Sequence, residues 1–145
     1  MLPKAQYNRT LKQYQYEIDG EVETLPNMKR HEVIPYLILL THPELHAMVT
    51  RGIEANPHMQ ATLWLGAMMF LNEKVYRPTL PINGLIGQVE ASKSDNSYNI
   101  DNDNGYITCS CYHWQNMQAP LTSQGRRVCK HIAALTFDLH FEERF

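Results

Sequence analysis

Two short runs decide how this chain is read: Cys109-Ser110-Cys111-Tyr112-His113-Trp114, and Arg126-Arg127-Val128-Cys129-Lys130-His131-Ile132-Ala133-Ala134-Leu135. Together they contain all 3 cysteines of the 145-residue sequence. An odd number of thiols cannot all enter disulfides, and a cluster of them in an otherwise cysteine-free chain points to a metal site. A structural zinc ion takes four soft or borderline ligands in a tetrahedron, and Cys3His is one of the closed sets. Cys109, Cys111, Cys129 and His131 supply that set as a C-x-C pair and a C-x-H pair, 17 residues apart.

The flanking residues say how one cation could reach all four. Tyr106 to Cys109 has strand character, and alternation along a strand sends residues two apart to one face. Residues Lys130 to Leu139 place Ile132, Leu135 and Leu139 at helical spacing, with His131 in the first turn. A strand end and a helix start would thus act as two jaws, and chelation of Zn2+ would fix the helix on the hairpin. Four ligands leave no open coordination position, so the metal is expected to be structural and not catalytic.

Other readings of these residues fit less well. Three neighbouring thiols without a metal would not explain the one histidine in register. A nucleophilic Cys/His pair, Cys109 or Cys111 with His131, lacks an oxyanion motif and a third orienting group. His113 could replace a ligand, but the C-x-H histidine already completes the tetrahedron. His42 and His46 lack the order of a hydrolytic zinc motif and read as ordinary residues.

Upstream of the cysteines lie strand candidates Leu85 to Ala91, Tyr98 to Ile100 and Tyr106 to Cys109, separated by polar linkers Ser92 to Ser97 and Asp101 to Gly105. They predict a short antiparallel meander. Pro78, Pro81, Asn83 and Gly84 break the preceding helix. That helix starts at Pro57 and runs through Met59, Leu63, Trp64, Ala67, Met68 and Leu71, its methionines serving as core. Before it, Pro43 suits the first turn of a helix that carries Leu45, Met48, Val49 and Ile53 and stops near Asn56-Pro57. Residues from Pro26 to about Thr41 are apolar and mostly helical, with Pro35 expected to kink or divide them. Tyr14 to Leu25 alternates about Asp19-Gly20, a type I′ turn pair, and reads as a hairpin. The expectation is an α+β fold: a helical N-terminal half, then a short antiparallel β-meander with the zinc site, then a C-terminal helix. The division expected is residues 1–56, hairpin and helices of no assigned role, and 57–145, the zinc-bearing domain.

The combination of C-x-C, a gap, C-x-H and a short apolar helix resembles the SWIM zinc finger, and the similarity covers about residues 60 to 140. In that family a meander of short strands precedes C-x-C, and the C-x-H histidine leads into a hydrophobic helix, commonly as C-K-H followed by small or aliphatic residues. Here the chain reads Cys129-Lys130-His131-Ile132-Ala133-Ala134-Leu135. The helix from Gln60 to Val75 and the Tyr98 to Ile100 strand also look like the lead-in of small bacterial and mobile-element SWIM proteins. Departures are Tyr112-His113-Trp114-Gln115 where an acidic or proline-rich stretch often follows C-x-C, and a long gap between the pairs. The resemblance implies a non-enzymatic interaction module, accessory to DNA transactions, that docks on a larger protein complex or on DNA.

Composition narrows the partners. There are 13 Lys and Arg against 15 Asp and Glu, a net charge of -2, with 43% hydrophobic residues. Residues 1–85 hold eight cations against eight anions, and 86–145 hold five against seven, so neither half attracts a polyanion as a whole. Nucleic-acid contact would need a local patch. Arg126, Arg127 and Lys130 bracket Cys129, with Trp114 and Tyr112 as stacking candidates. The same cations equally suit a supporting role, lowering the thiolate pKa values. An alternative is a helix-turn-helix-like regulator built from His42 to Val75, with zinc as scaffold, although its third helix offers only Gln60, Asn72 and Lys74 to base edges. No apolar run nears the roughly 18 residues of a spanning helix. The longest, Val33 to Leu40, contains Pro35, and Met1 to Asn8 lacks the apolar core of a secretory signal. A soluble cytoplasmic protein with no membrane contact and no small-molecule substrate is expected.

Overall fold

The computed structural model describes residues 2–80, 83–91 and 96–141. It divides into two compact units, Met1–Met48 and Val49–Phe145, with the division inside a helix.

The first unit opens on a three-stranded antiparallel sheet, β1 (Ala5–Asn8), β2 (Gln13–Ile18) and β3 (Glu21–Leu25), in that spatial order. The expected hairpin is β2–β3, turned by Asp19 and Gly20 with φ of 52° and 81°, the left-handed pair that a type I′ turn requires. Strand β1 corrects the expectation of a helical N-terminal half: strands come first. Its residues, Ala5-Gln6-Tyr7-Asn8, alternate over four positions only, a strand signal too short to stand out in the sequence. What brings it onto β2 is a turn in which Asn8 Oδ1 accepts the N–H groups of Thr10 and Leu11, each at 3.0 Å. Tyr7 and Tyr14 then face each other across the ladder with ring centroids 5.1 Å apart.

Helix α1 (Arg30–Thr41) follows, burying Val33, Leu37 and Ile38. It runs unbroken through Pro35, so the segment is not divided there. The proline ring fixes φ near a helical value, so one lost backbone bond is tolerated when the apolar face on both sides is buried. Helix α2 (Pro43–Ala55) begins on Pro43 and stops before Asn56-Pro57, as its proline punctuation predicts.

In the second unit a 3-10 turn (Pro57–Met59) leads into α3 (Gln60–Leu71). The helix ends there and does not reach Val75: Glu73 takes φ 58°, and Val75–Tyr76 form a short strand, β4. Strands β5 (Leu85–Glu90), β6 (Ser97–Asp103) and β7 (Tyr106–Cys109) complete a four-stranded antiparallel sheet in the order β4-β5-β6-β7. The meander is therefore as expected, with β6 longer than predicted. Pro81 and residues 92–95 of the expected linker lie outside the described residues. A four-residue helix, α4 (Tyr112–Gln115), follows β7, and α5 (Lys130–Phe141) closes the described chain.

Helices α3 and α5 pack on each other, and α5 also lies on the sheet. Along α5 the buried residues include His131, Ile132, Ala133, Ala134, Leu135, Phe137 and Phe141, an apolar surface too broad for a solvent-facing helix. The Arg77 guanidinium donates to Asp138 Oδ2 at 2.6 Å and pins the middle of α5. Val89, Ile100 and Cys109 point into this core and are almost fully inaccessible. Among the described residues no helix is long and apolar enough to cross a membrane.

Candidate metal centre

The site grows out of the ladder between β6 and β7. Ile100 pairs with Cys109, so the thiol of the last β7 residue enters the core beside one of its most buried side chains. Ser110 then faces outward: its N–H donates to Asn99 O at 3.0 Å and its Oγ accepts the Asn99 N–H at 2.9 Å. Cys111, extended at φ -71° and ψ 157°, turns inward again and starts α4. The expected alternation thus delivers both thiols to one place. Gln115 holds this corner, donating its side-chain amide to Cys109 O and its backbone N–H to Cys111 O, both at 3.0 Å.

The second pair comes from the start of α5. Cys129 sits at the N-cap, where its carbonyl accepts the Ala133 N–H at 3.0 Å and its sulfur accepts the Ile132 N–H at 3.5 Å. A helix N-terminus favours a negative group, so this cap stabilises the thiolate. His131, two residues on, is 3% exposed.

These four buried side chains form the candidate metal group among the described residues, with donor atoms all within 4.8 Å of one another. His131 Nδ1 lies 3.9 Å from Cys109 Sγ and 3.8 Å from Cys129 Sγ. Zinc bond lengths of about 2.3 Å to sulfur and 2.0–2.1 Å to nitrogen give a tetrahedron edge of about 3.6 Å between such ligands. The donor set, its spacing and its burial fit that ion. The three thiols also shift one another's ionisation. Hydrogen bonds from Cys109 and then Cys129 pull the Cys111 thiol far below its ordinary value, while Cys109 is driven far up by its bonds to Cys111 and Cys129 and by burial. Cys129, drawn down by Cys109 but pushed up by Cys111 and by burial, stands at about 11. A divalent cation would let all three sulfurs ionise.

Behind the imidazole, the Tyr98 ring packs with its centroid 4.6 Å from that of His131. His131 Nε2 is buried with no hydrogen-bond partner among the described residues. Nothing in the sequence marks Tyr98 as part of the site except its place on β6.

The 17-residue interval between the pairs is an ordered loop. Leu121 and Arg127 form an isolated antiparallel bridge, closed at its tip by Thr122 N–H to Arg126 O at 2.7 Å. Ser123 N–H donates to Asn56 Oδ1 at 2.8 Å, and the His58 ring meets Leu121 O. Arg127 Nη1 donates to Met117 O at 2.8 Å and Ala119 O at 2.6 Å. Of the proposed contact residues, Arg127 is therefore engaged in holding the loop. Arg126 is exposed, Lys130 is half-buried at the start of α5, and Trp114 is half-buried in the core wall. His113 is exposed on α4 and is not among the clustered donors; its carbonyl accepts the Gln118 and Ala119 N–H groups. His42 and His46 join no metal group among the described residues.

No protein-family model matches the chain, and neither a curated protein nor a solved structure matches it.

Proposed function

We propose that the chain is a non-enzymatic, zinc-stabilised interaction module of SWIM-like type, accessory to DNA transactions, which docks on a larger protein complex or on DNA. The observation that carries this reading is the buried Cys109, Cys111, Cys129 and His131 donor set, which joins the end of β7 to the N-cap of α5. Bound there, zinc supplies structural cross-linking. Cys109, Cys111 and Cys129 would hold it through sulfur and His131 through Nδ1, and all four positions would be filled by protein. Such a centre leaves recognition to the surface it stiffens. The loop from Tyr112 to Val128 is that surface, since it begins and ends on ligands and is braced by Arg127.

The helix-turn-helix alternative fares worse. Only Gln60 and Ala61 of α3 are exposed, and the rest of the helix is buried or half-buried, with no polar face to enter a groove.

The test is elemental analysis of freshly purified protein beside Cys129→Ser. One zinc per chain, lost in the variant together with a large fall in melting temperature, supports the module. Wild-type protein without stoichiometric metal would end the reading.

A further inference from the structure

We propose that a cleft beside the metal-binding loop takes one nucleotide of a single-stranded polynucleotide, its base against Tyr106 and Trp114 and its phosphate on Arg126. The inference rests on the reading above and narrows its partner to one chemical class and one site.

The cleft, ≈ 430 Å³, lies within the second unit between the β6–β7 turn and the tip of the loop before α5. That size is in the range of small-ligand pockets, roughly 300–1,000 Å³. Val128 and Ile132 make an apolar floor, Tyr106 and Trp114 supply rings, and Gln124 and Arg126 supply polar groups at the rim. Tyr106 is 71% exposed, a large aromatic surface that the fold itself leaves uncovered. Trp114 carries a buried indole N–H with no acceptor among the described residues.

Charge then selects the occupant. The Arg126 side chain has no ion-pair or hydrogen-bond partner among the described residues, whereas Arg127 beside it is spent on the Met117 and Ala119 carbonyls. Its backbone is nonetheless fixed, because Arg126 N–H donates to Thr122 Oγ1 at 3.1 Å and Arg126 O accepts from Thr122. A free cation on a held backbone is pre-organised for an anion. Asp103 is the ladder partner of Tyr106, so the hairpin side carries negative charge and a phosphate is favoured at Arg126 instead. Flat rings over an apolar floor, with one guanidinium at one edge, match a base and its phosphate. Every base has a face that can stack, but in a duplex those faces are already covered, so an unpaired strand is the form that fits.

The experiment uses the full zinc-loaded chain and fluorescein-labelled oligo-dT and oligo-rU, with the matching duplex as comparison. Anisotropy should show binding to the single strands at low salt that weakens steeply as salt rises. Tyr106→Ala and Arg126→Ala should each weaken it about tenfold or more, and Tyr106→Trp should retain it. Both residues are exposed and outside the metal cluster, so unchanged zinc content and melting temperature certify the fold of each variant. Single-strand binding equal in wild type, Tyr106→Ala and Arg126→Ala would overturn the cleft while leaving a nucleic-acid partner in place. No binding to either oligonucleotide by protein with full zinc content, or a preference for duplex, would overturn the inference and leave the zinc module intact as a docking protein.

Discussion

Gly66 of α3 lies directly against Ala133 of α5: a β-carbon at Gly66 would stand 2.7 Å from Ala133 Cβ and 3.0 Å from both Ala134 N and Lys130 O. The two helices therefore meet at closest approach beside His131, and the second jaw of the metal site is seated on α3. Gly66→Ala gains roughly 1 kcal/mol in helix propensity. Overpacking typically costs 1–3 kcal/mol, and here two of the three contacts are backbone atoms that cannot rotate away. The net result expected is a loss of about 1 kcal/mol, and more for Gly66→Val. Thermal melts check the stability, and chelator competition checks the accompanying fall in zinc affinity.

Arg126 and Arg127 are adjacent but separable. Arg127→Ala leaves the Met117 and Ala119 carbonyls without their charged donor, at a cost of about 1–3 kcal/mol. Arg126→Ala should stay within about 0.5 kcal/mol of wild type, as exposed substitutions usually do. Denaturant unfolding of the two single variants measures the difference; equal midpoints would show that the loop does not depend on Arg127.

Removing the metal should release the N-terminus of α5. Addition of a strong chelator is expected to lower helical circular dichroism and the melting temperature together, because metal binding free energy at such a site is folding free energy. The dependence on pH follows from the thiols. In the loaded protein each sulfur is ionised, so its effective pKa lies below the unfolded value. Stability from the metal is therefore full above the unfolded thiol pKa and is lost as pH falls. Titrating from about pH 8 to about pH 5 should narrow and then abolish the gap between melts with and without zinc.

Tyr98 should matter through its ring. Tyr98→Phe keeps the face that covers His131 and should leave zinc affinity unchanged. Tyr98→Leu removes it and should weaken binding by about tenfold, the lower end for groups that orient a metal ligand. Chelator competition gives the affinity, and the NMR signal of the His131 Nε2 proton reports the packing directly: ring-shifted in wild type and Tyr98→Phe, shifted back in Tyr98→Leu.

The parts of this fold that were legible in the sequence are those with short-range causes. The Asp19-Gly20 turn, the strand period running into Cys109, and Pro43 and Pro57 as helix punctuation each act within a few residues, and so does the pairing of Cys129 with His131. What stayed hidden depends on partners far along the chain. Strand β1 is only four residues long and is joined to β2 through an Asn8 turn, so its brief alternation does not stand out. Asn56 looks like a helix stop, and His58 carries no signal, until Ser123 and Leu121 fold onto them. Arg127 reads as support for the thiolates or as a nucleic-acid contact, because carbonyl acceptors have no signature in a sequence. Tyr98 gains its place at the metal centre only when β6 sets it behind an imidazole 33 positions later.

One residue, Cys129, caps α5 and also belongs to the candidate donor set, so helix initiation and capture of a cation there would be a single event. During synthesis Cys109 and Cys111 leave the ribosome first, and a cation held by them alone is only half enclosed. Without such an ion α5 would lose its tie to the end of β7, and its apolar side would open to proteolysis.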